Sequence, residues 1–205
     1  MFRATWILCL SLLFLAGPLQ ALIGNPVAGK AKSGICIACH GVDGNSPTPI
    51  WPSIAGLDEL YFIKQLHDFK QGEDGPRHDP SMLGILATLQ EKDFADLAAY
   101  FAMQKVTISE IPEDKVELGR QIYRGGNPKT GVAACVACHG VNGEGNSLAK
   151  FPGLSGQNPE YVSAQLQKFK DGQRRNDING IMQGVVARMS DVEIDAVSHY
   201  VSGLH

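Results

Sequence analysis

The chain has 205 residues, of which 44% are hydrophobic and 19% are charged, the balance of an ordinary globular protein. Its length suits one or two domains. The formal net charge is −3 at pH 7, so the composition gives no reason to expect a nucleic-acid-binding protein. The 23 glycines indicate many loops between the regular elements.

The first 21 residues have the pattern of a secretory signal peptide. Arg3 precedes an apolar run at residues 6–15, Gly17-Pro18 ends the run, and Ala21 offers a small residue for cleavage. An uncleaved membrane anchor is the alternative, although the run is short for a bilayer span. We therefore predict that residues 1–21 are removed near Ala21, and that the exported mature chain has no transmembrane segment.

The rest of the chain is an internal duplication. The stretch WPSIAGLDELYFIKQLHDFKQG at 51–72 aligns without a gap with FPGLSGQNPEYVSAQLQKFKDG at 151–172, an offset of 100 residues. Residues 82–100 align with 182–200 at the same offset, whereas a small insertion reduces the offset upstream to 99. We predict a first domain at 22–107, a linker at 108–117 and a second domain at 118–205.

Each half has the sequence pattern of a small, mostly helical domain. Apolar residues recur at spacings of three and four, which predicts one buried face on each helix. The sets are Phe62, Leu66 and Phe69; Phe94, Leu97 and Phe101; Val162, Leu166 and Phe169; and Ile194, Val197 and Val201. Asn158-Pro159-Glu160 and Ser190-x-x-Glu193 are typical helix starts. Because alternating strand patterns are scarce, the predicted fold class is all-α, with two tandem domains.

Both halves carry the motif Cys-x-x-Cys-His, whose three positions share a face on one turn of helix. The copies are Cys36, Cys39 and His40, and Cys135, Cys138 and His139. Each thiol can add to a vinyl group of a porphyrin, and the adjacent histidine can bind its iron, which is the attachment pattern of c-type haem. We predict two covalently bound haem c groups, attached through the four cysteines and ligated by the two histidines.

Three other uses of these cysteines compete with haem attachment. A disulfide framework would suit an exported chain but would leave His40 and His139 unexplained. A thioredoxin-like redox pair would need a βαβ setting, and a zinc site would need a fourth ligand for each motif. Repetition of the whole motif at matched places favours haem.

Met82 and Met182 are the methionines that coincide between the halves, and each is predicted in a loop before the last helix of its half. An iron with both axial sites filled suits electron transfer, so we predict both methionines as metal ligands; His78 is the alternative in the first half. A neutral thioether favours Fe(II), which predicts a raised reduction potential. Pro52 and Pro152 either offer carbonyls to the motif imidazoles or are plain turn prolines.

Together these residues resemble the dihaem cytochrome c4 family. The resemblance covers residues 26–205 and rests on two C-x-A-C-H-G motifs, the G-N-S after each, WPSIAG and FPGLSGQ, Y-x-x-x-Q-L, the paired methionines and the ending HYVSGLH. The segments RHDPSM and RRNDINGIM, which precede the two methionines, depart from a strict repeat.

The resemblance implies two class I cytochrome c domains related by a pseudo-twofold axis, with haem propionates near the domain interface. It also implies a periplasmic electron carrier. Its partners would be respiratory redox proteins, with a cytochrome bc1-type or other donor and a haem–copper terminal oxidase, or a reductase, as acceptor.

The sequence is also compatible with two other functions. A dihaem peroxidase would need an open iron site with acid–base groups beside it, whereas both halves offer a methionine. A cytochrome subunit of a larger dehydrogenase or oxidase complex is compatible with the same residues. The sequence favours an electron carrier that is not an enzyme.

Overall fold

The structure is a computed structural model that describes residues 23–205, so the predicted signal peptide lies outside the described residues. The first half contains α1 (Pro26–Lys32), α2 (Ile37–His40), α3 (Glu59–Lys70), α4 (Pro80–Leu86) and α5 (Glu91–Ala102). The second contains α6 (Glu113–Gly125), α7 (Val136–His139), α8 (Pro159–Lys170), α9 (Ile181–Val186) and α10 (Asp191–Ser202). Between residues 23 and 205, β structure is limited to isolated bridges, so the predicted all-α class is confirmed. None of the helices in this range has the length and apolar character needed to cross a bilayer.

The predicted apolar faces form two separate cores, one in each half. The first core includes Phe62, Leu66, Phe94, Leu97 and Phe101. The second includes Val162, Phe169, Ile194, Val197 and Val201, with Leu166 packed against it. In each half the first and last helices pack together, α1 on α5 and α6 on α10. The periodicity in the sequence therefore predicted the buried faces correctly.

A glycine allows the first and last helices of each half to cross closely. A Cβ atom on Gly29 would lie 1.9 Å from the backbone oxygen of Asp96, and one on Gly119 would lie 2.5 Å from that of Ala196. Both distances are shorter than any real contact of a Cβ atom. Glycine is therefore required at both crossings for steric reasons.

The crossing in the first half carries a buried carboxylate that the second half lacks. Asp96, whose side chain is fully buried, accepts hydrogen bonds from Asn25 N at 2.8 Å, Lys32 Nζ at 3.0 Å and Lys92 Nζ at 3.1 Å. Burial acts to raise the pKa of Asp96, but these three donors outweigh it and lower the pKa from 3.8 to about 2. The carboxylate ties α1 to α5, whereas Ala196 occupies the equivalent place on α10.

We expect Asp96→Asn to destabilise the first half by about 2 kcal/mol at neutral pH, since it removes a charged acceptor of three hydrogen bonds. A carboxyl group with a lowered folded pKa stabilises the fold above its unfolded value of 3.8. That contribution disappears as the pH falls from about 4 to about 2. Urea unfolding followed by Trp51 fluorescence at pH 7 and pH 3 measures both effects.

The exposed Glu73 gives the control for this variant. We expect Glu73→Gln to keep the stability and acid dependence of the parent chain, because Glu73 lies in an exposed loop. Acid dependence that is equally steep in the parent and in Asp96→Asn would contradict the role given to Asp96.

The expected loops around the two methionines are wrong, because both residues lie within short helices. Met82 is in α4, which starts at Pro80 and is capped by Asp79; the carboxylate accepts from Ser81 N at 3.0 Å and Met82 N at 3.1 Å. Met182 is in α9, which follows a single 3-10 turn at Ile178–Gly180. The pair Asp79-Pro80 is a local signal for a helix start, which the expectation of a loop overlooked.

The predicted helix starts are confirmed in position but not in every contact. Ser190 and Glu193 form the expected capping box at α10. Pro159 is the first residue of α8, but Asn158 does not cap the helix. Its side-chain amide instead donates to Trp51 O in the first half at 2.8 Å. The helix α6 begins at Glu113, so part of the segment expected to be a linker is helical.

Candidate functional site

The two Cys-x-x-Cys-His motifs form matching single turns of helix. In the first half His40 N donates to Cys36 O at 3.0 Å, and in the second half His139 N donates to Cys135 O at 3.0 Å. All four motif cysteines are free thiols, partly buried. Each turn therefore presents two thiols and one imidazole together, as the spacing predicted.

A proline carbonyl orients each motif imidazole. His40 Nδ1 lies 2.8 Å from Pro52 O and His139 Nδ1 lies 2.9 Å from Pro152 O. Because a carbonyl oxygen only accepts, Nδ1 carries the proton in both rings and Nε2 is left with its lone pair free. Of the two sequence interpretations of these prolines, the carbonyl acceptor is the one that the structure shows.

The surroundings of both imidazoles favour the neutral form, which is the form that binds iron. Burial lowers the pKa of His40 and of His139 below the usual 6.5, and the hydrogen bond to the proline carbonyl offsets only part of that effect. Neutral imidazole with Nδ1 hydrogen-bonded to a backbone carbonyl is the usual state of a metal-ligating histidine.

The environment of the first cysteine of each motif does not suit a redox-active thiol pair. Burial raises the pKa of Cys36 and of Cys135 to about 11. The attacking cysteine of a thioredoxin-like pair instead has a lowered pKa, which supplies the reactive thiolate. This difference argues against the redox-pair interpretation of the motif.

The predicted site residues of both halves all line one cavity of about 490 Å³. It is lined by Cys36, Cys39, His40 and Met82 from the first half and by Cys135, Cys138, His139 and Met182 from the second. Each methionine is half-buried and packs against the apolar core of its own half. The volume is within the range of about 300–1,000 Å³ typical of ligand sites.

The alternative ligand His78 also lines the cavity, but it is exposed. Its counterpart at the offset of 100 is Ile178, which cannot bind a metal. Met82 and Met182, by contrast, lie at matching places in matching helices. The repeat symmetry therefore favours the methionine over His78 in the first half.

Two buried arginines cross between the halves at this cavity. The guanidinium of Arg77 donates to Tyr161 OH at 2.6 Å, and that of Arg174 donates to Tyr61 OH at 3.1 Å. Each guanidinium also lies over a phenylalanine ring of its own half, 4.2 Å from the centroid of Phe69 and 4.5 Å from that of Phe169. The backbones of the two arginines form an isolated antiparallel bridge. The two halves therefore exchange equivalent contacts.

This arginine pair brings positive charge into the interior without matching carboxylates. No carboxylate among residues 23–205 lies within ion-pair distance of either guanidinium; the nearby Asp68 bonds to Lys64 and Asn176. Burial, followed by repulsion from Arg174, lowers the pKa of Arg77. Five cationic side chains and two carboxylates line the cavity. Such a surplus favours a ligand that carries negative groups.

The sequence did not predict Arg77, Arg174 or the second-half residue Gln157 as functional. At the offset of 100 Arg77 aligns with Asp177, so the repeat does not match the two arginines. The available signal was that both lie in the two segments that depart from the strict repeat. Gln157, which bonds Ser53 across the interface, aligns with Leu57 and gave no signal from the repeat.

The residues present fit a haem c in each half. Thiols at matched spacing can form the thioethers, neutral imidazoles and methionine thioethers can serve as axial ligands, and apolar walls can enclose the porphyrin. The surplus positive charge suits the two propionates that a haem carries. This agreement holds separately for the two halves, since each supplies its own thiols, imidazole and thioether.

Comparison with known proteins agrees with this chemistry. The family model "Cytochrome c" matches residues 27–104 and again residues 116–205. Cytochrome c4 of Thiocapsa roseopersicina is 47% identical over 184 residues, which are 89% of this chain and 94% of that protein. Cytochrome c4 of Pseudomonas aeruginosa is 45% identical over 183 residues, covering 89% of this chain and 90% of that one.

A solved structure gives the same result for the fold. Reduced recombinant cytochrome c4 from Pseudomonas stutzeri superposes with a TM-score of 0.85 at 43% identity, over 89% of this chain and 100% of that one. The duplicated match and the shared two-domain architecture extend over nearly all the described residues. The chain therefore belongs to the cytochrome c family and, within it, to the cytochromes c4, which are electron-transfer proteins with two covalently bound haem c groups and are not enzymes.

Proposed function

We propose that this chain is an exported, periplasmic dihaem carrier that moves electrons along a respiratory chain. Cys36 and Cys39 would attach the first haem, and His40 and Met82 would ligate its iron. The second haem would be attached by Cys135 and Cys138 and ligated by His139 and Met182. The observation that carries this proposal is that both complete sets of side chains line one cavity shared by the two halves.

The bound haem iron would supply the one-electron chemistry, and the polypeptide sets the conditions for it. The carbonyls of Pro52 and Pro152 hold each imidazole in one tautomer and one orientation. The apolar core of each half packs against its proposed methionine ligand, Met82 in the first half and Met182 in the second. A thioether ligand raises the reduction potential, which suits a carrier that acts late in a respiratory chain.

Arg77 and Arg174 would hold the haem carboxylates. Their guanidinium groups bring two buried positive charges to the boundary between the halves, where each donates a hydrogen bond to a tyrosine hydroxyl of the other half. A carboxylate that meets such a group gains a charge-assisted hydrogen bond and offsets the cost of burying the charge. This arrangement supports the placement of propionates near the interface that the family resemblance implies.

We propose respiratory redox proteins as partners, with a cytochrome bc1-type or other donor and a haem–copper terminal oxidase, or a reductase, as acceptor. Exposed apolar side chains beside both motifs support docking of such proteins: Ile35 and Val42 in the first half, and Val141 in the second. The net charge of −3 gives no support for a nucleic-acid partner.

The N-terminal pattern supports export with cleavage near Ala21. We further propose functional domains at 22–107 and 118–205, joined through residues 108–117. The two matches to the cytochrome c family model, which end at 104 and resume at 116, support this division. The start of α6 at Glu113 would then make the second part of the linker continuous with the second domain.

A visible spectrum with haem quantitation tests the proposed function. We expect the chain, exported from a bacterium that matures c-type cytochromes, to carry two haems that stay attached after denaturation. The oxidised protein should be low-spin and show the weak far-red band of methionine-ligated iron. A colourless chain would overturn the proposal, and a high-spin ferric spectrum with peroxide turnover would favour a peroxidase instead.

A further inference from the structure

The peptide group between Pro52 and Ser53 is hydrogen-bonded on both of its sides. Its carbonyl accepts from His40 Nδ1 at 2.8 Å, and its N–H donates to Gln157 Oε1, also at 2.8 Å. Gln157 belongs to the second half, 104 residues further along the chain. One hydrogen-bonded chain therefore runs from the motif imidazole of the first half to a side chain of the second.

Gln157 is held firmly in the position that this contact requires. Its Nε2 donates to Ser53 O at 2.8 Å, and its Oε1 also accepts from the backbone N of Asn158 at 3.0 Å. Both Ser53 and Gln157 are 7% exposed, so water competes little for these bonds. The Gln157 side chain thus forms hydrogen bonds with both the N–H and the carbonyl of Ser53, while His40 bonds to the carbonyl of Pro52.

Hydrogen bonds in such a chain strengthen one another. A peptide whose N–H donates is more polarised, and its carbonyl becomes a better acceptor, most of all in a buried site of low dielectric. A stronger acceptor at Nδ1–H makes the imidazole a more basic ligand. A more basic imidazole stabilises Fe(III) relative to Fe(II), and the reduction potential of that site falls.

The second half lacks the corresponding contact. His139 Nδ1 lies 2.9 Å from Pro152 O, so the first link is present. The residue that matches Gln157 is Leu57, whose side chain cannot accept a hydrogen bond. Leu57 and Gly153, the residue after Pro152, line the same interface cleft of about 80 Å³. The duplication therefore kept the proline carbonyl in both halves and the glutamine in one.

We propose that Gln157 is a positioning residue by which the second half lowers the reduction potential of the haem site in the first half. It acts through the Pro52–Ser53 peptide on His40 and has no counterpart acting on His139. The two sites thereby differ in potential even though their predicted ligands are identical. This inference rests on the proposed function, because it assigns a role to an imidazole that ligates iron.

The first test is Gln157→Met in the fully haem-loaded chain, since methionine keeps the length of the side chain but makes no such hydrogen bond. In a potentiometric titration we expect one of the two midpoint potentials to rise. The expected change is about threefold in the Fe(III)/Fe(II) ratio at fixed ambient potential, or about 30 mV for a one-electron couple. In NMR spectra of the reduced protein, the Nδ1–H resonance of His40 should move upfield while that of His139 stays in place.

Asn158→Ala is the matched control for a purely structural effect. It removes the hydrogen bonds from Asn158 Nδ2 to the backbone oxygens of Trp51, Thr48 and Ser46. These bonds cross the same interface but do not involve the Pro52–Ser53 peptide. We expect both potentials and both Nδ1–H resonances to remain at the parent values. Equal shifts in Asn158→Ala and Gln157→Met would show that interface packing is responsible, and would overturn the proposal.

Leu57→Gln tests the same idea by gain of function and does not depend on the stability of Gln157→Met. The new amide would lie in the cleft beside Gly153, and we expect the other midpoint potential to fall and the His139 resonance to move downfield. If both variants carry two haems and leave both potentials unchanged, the proposed role of Gln157 is wrong. A parent chain that carries no haem would instead refute the proposed function.

Discussion

Met182→Leu is expected to lower the reduction potential of the second half by about 0.1–0.3 V, inside the ~0.8 V range over which axial ligands set haem potentials. Leucine keeps nearly the volume of methionine, so the core against which Met182 packs changes little. The loss is that of the soft, neutral thioether, which favours Fe(II). About half of the far-red band of the oxidised protein should disappear with it.

The equivalent variant of the first half, Met82→Leu, should remove the other half of the band and lower the other potential. His78→Ala should leave both the band and the potentials unchanged, because the exposed His78 is not a ligand in the proposed assignment. If His78→Ala removes half of the band and Met82→Leu does not, the ligand assignment in the first half is wrong.

Met189→Leu is the matched control for these variants. Met189 is 4% exposed in the second core and stands where the first half has Leu89, so leucine is already compatible with that position in the repeat. We expect both potentials and the band to stay at the parent values. A potential that falls equally in Met189→Leu and Met182→Leu would mean that core packing, and not ligation, controls it.

The double variant Cys135→Ser/Cys138→Ser should carry one covalently attached haem per chain in place of two. Serine cannot form the thioether with a vinyl group, so the second half has no means of covalent attachment. Mass spectrometry of the denatured chain measures the number of attached haems directly. A mass that still corresponds to two haems would rule out these cysteines as the attachment sites.

We also expect the second half of this variant to unfold more easily than the first. Its core packs against Cys135 and Met182, so that loss of the haem leaves apolar walls around an empty space. The first half has a separate core and should remain folded with its haem. Cys36→Ser/Cys39→Ser provides the mirror-image control, in which the first half loses its haem and the second keeps it.

The sequence was sufficient to predict those features that depend on short-range spacing. Cys36, Cys39 and His40 fall on one turn because positions i, i+3 and i+4 share a helix face, and no distant residue is needed for that. The apolar faces on α5 and α10 follow the same local rule. The duplication then allowed Met82 and Met182 to be selected without any structure, since they alone among the methionines coincide between the halves.

Local signals were misread where the two halves differ. The segment before Met82 starts its helix with Asp79 and Pro80, whereas the segment before Met182 reaches α9 through a separate 3-10 turn. The expectation that both methionines lie in loops overlooked these two different helix starts. In both halves the methionine lies in a short helix, but the residues that start this helix differ between the halves.

Composition, duplication and the two Cys-x-x-Cys-His motifs therefore determined, from the sequence alone, that this is an all-α chain with two covalent haems. Only the tertiary structure decided how the halves act on each other: the crossed contacts of Arg77 and Arg174, and the clamp of Gln157 on Ser53. The physical reason is the distance along the sequence between the residues that interact. Attachment chemistry is fixed by neighbours within one helical turn, whereas a buried hydrogen bond between residues 104 positions apart leaves no periodic trace in the chain.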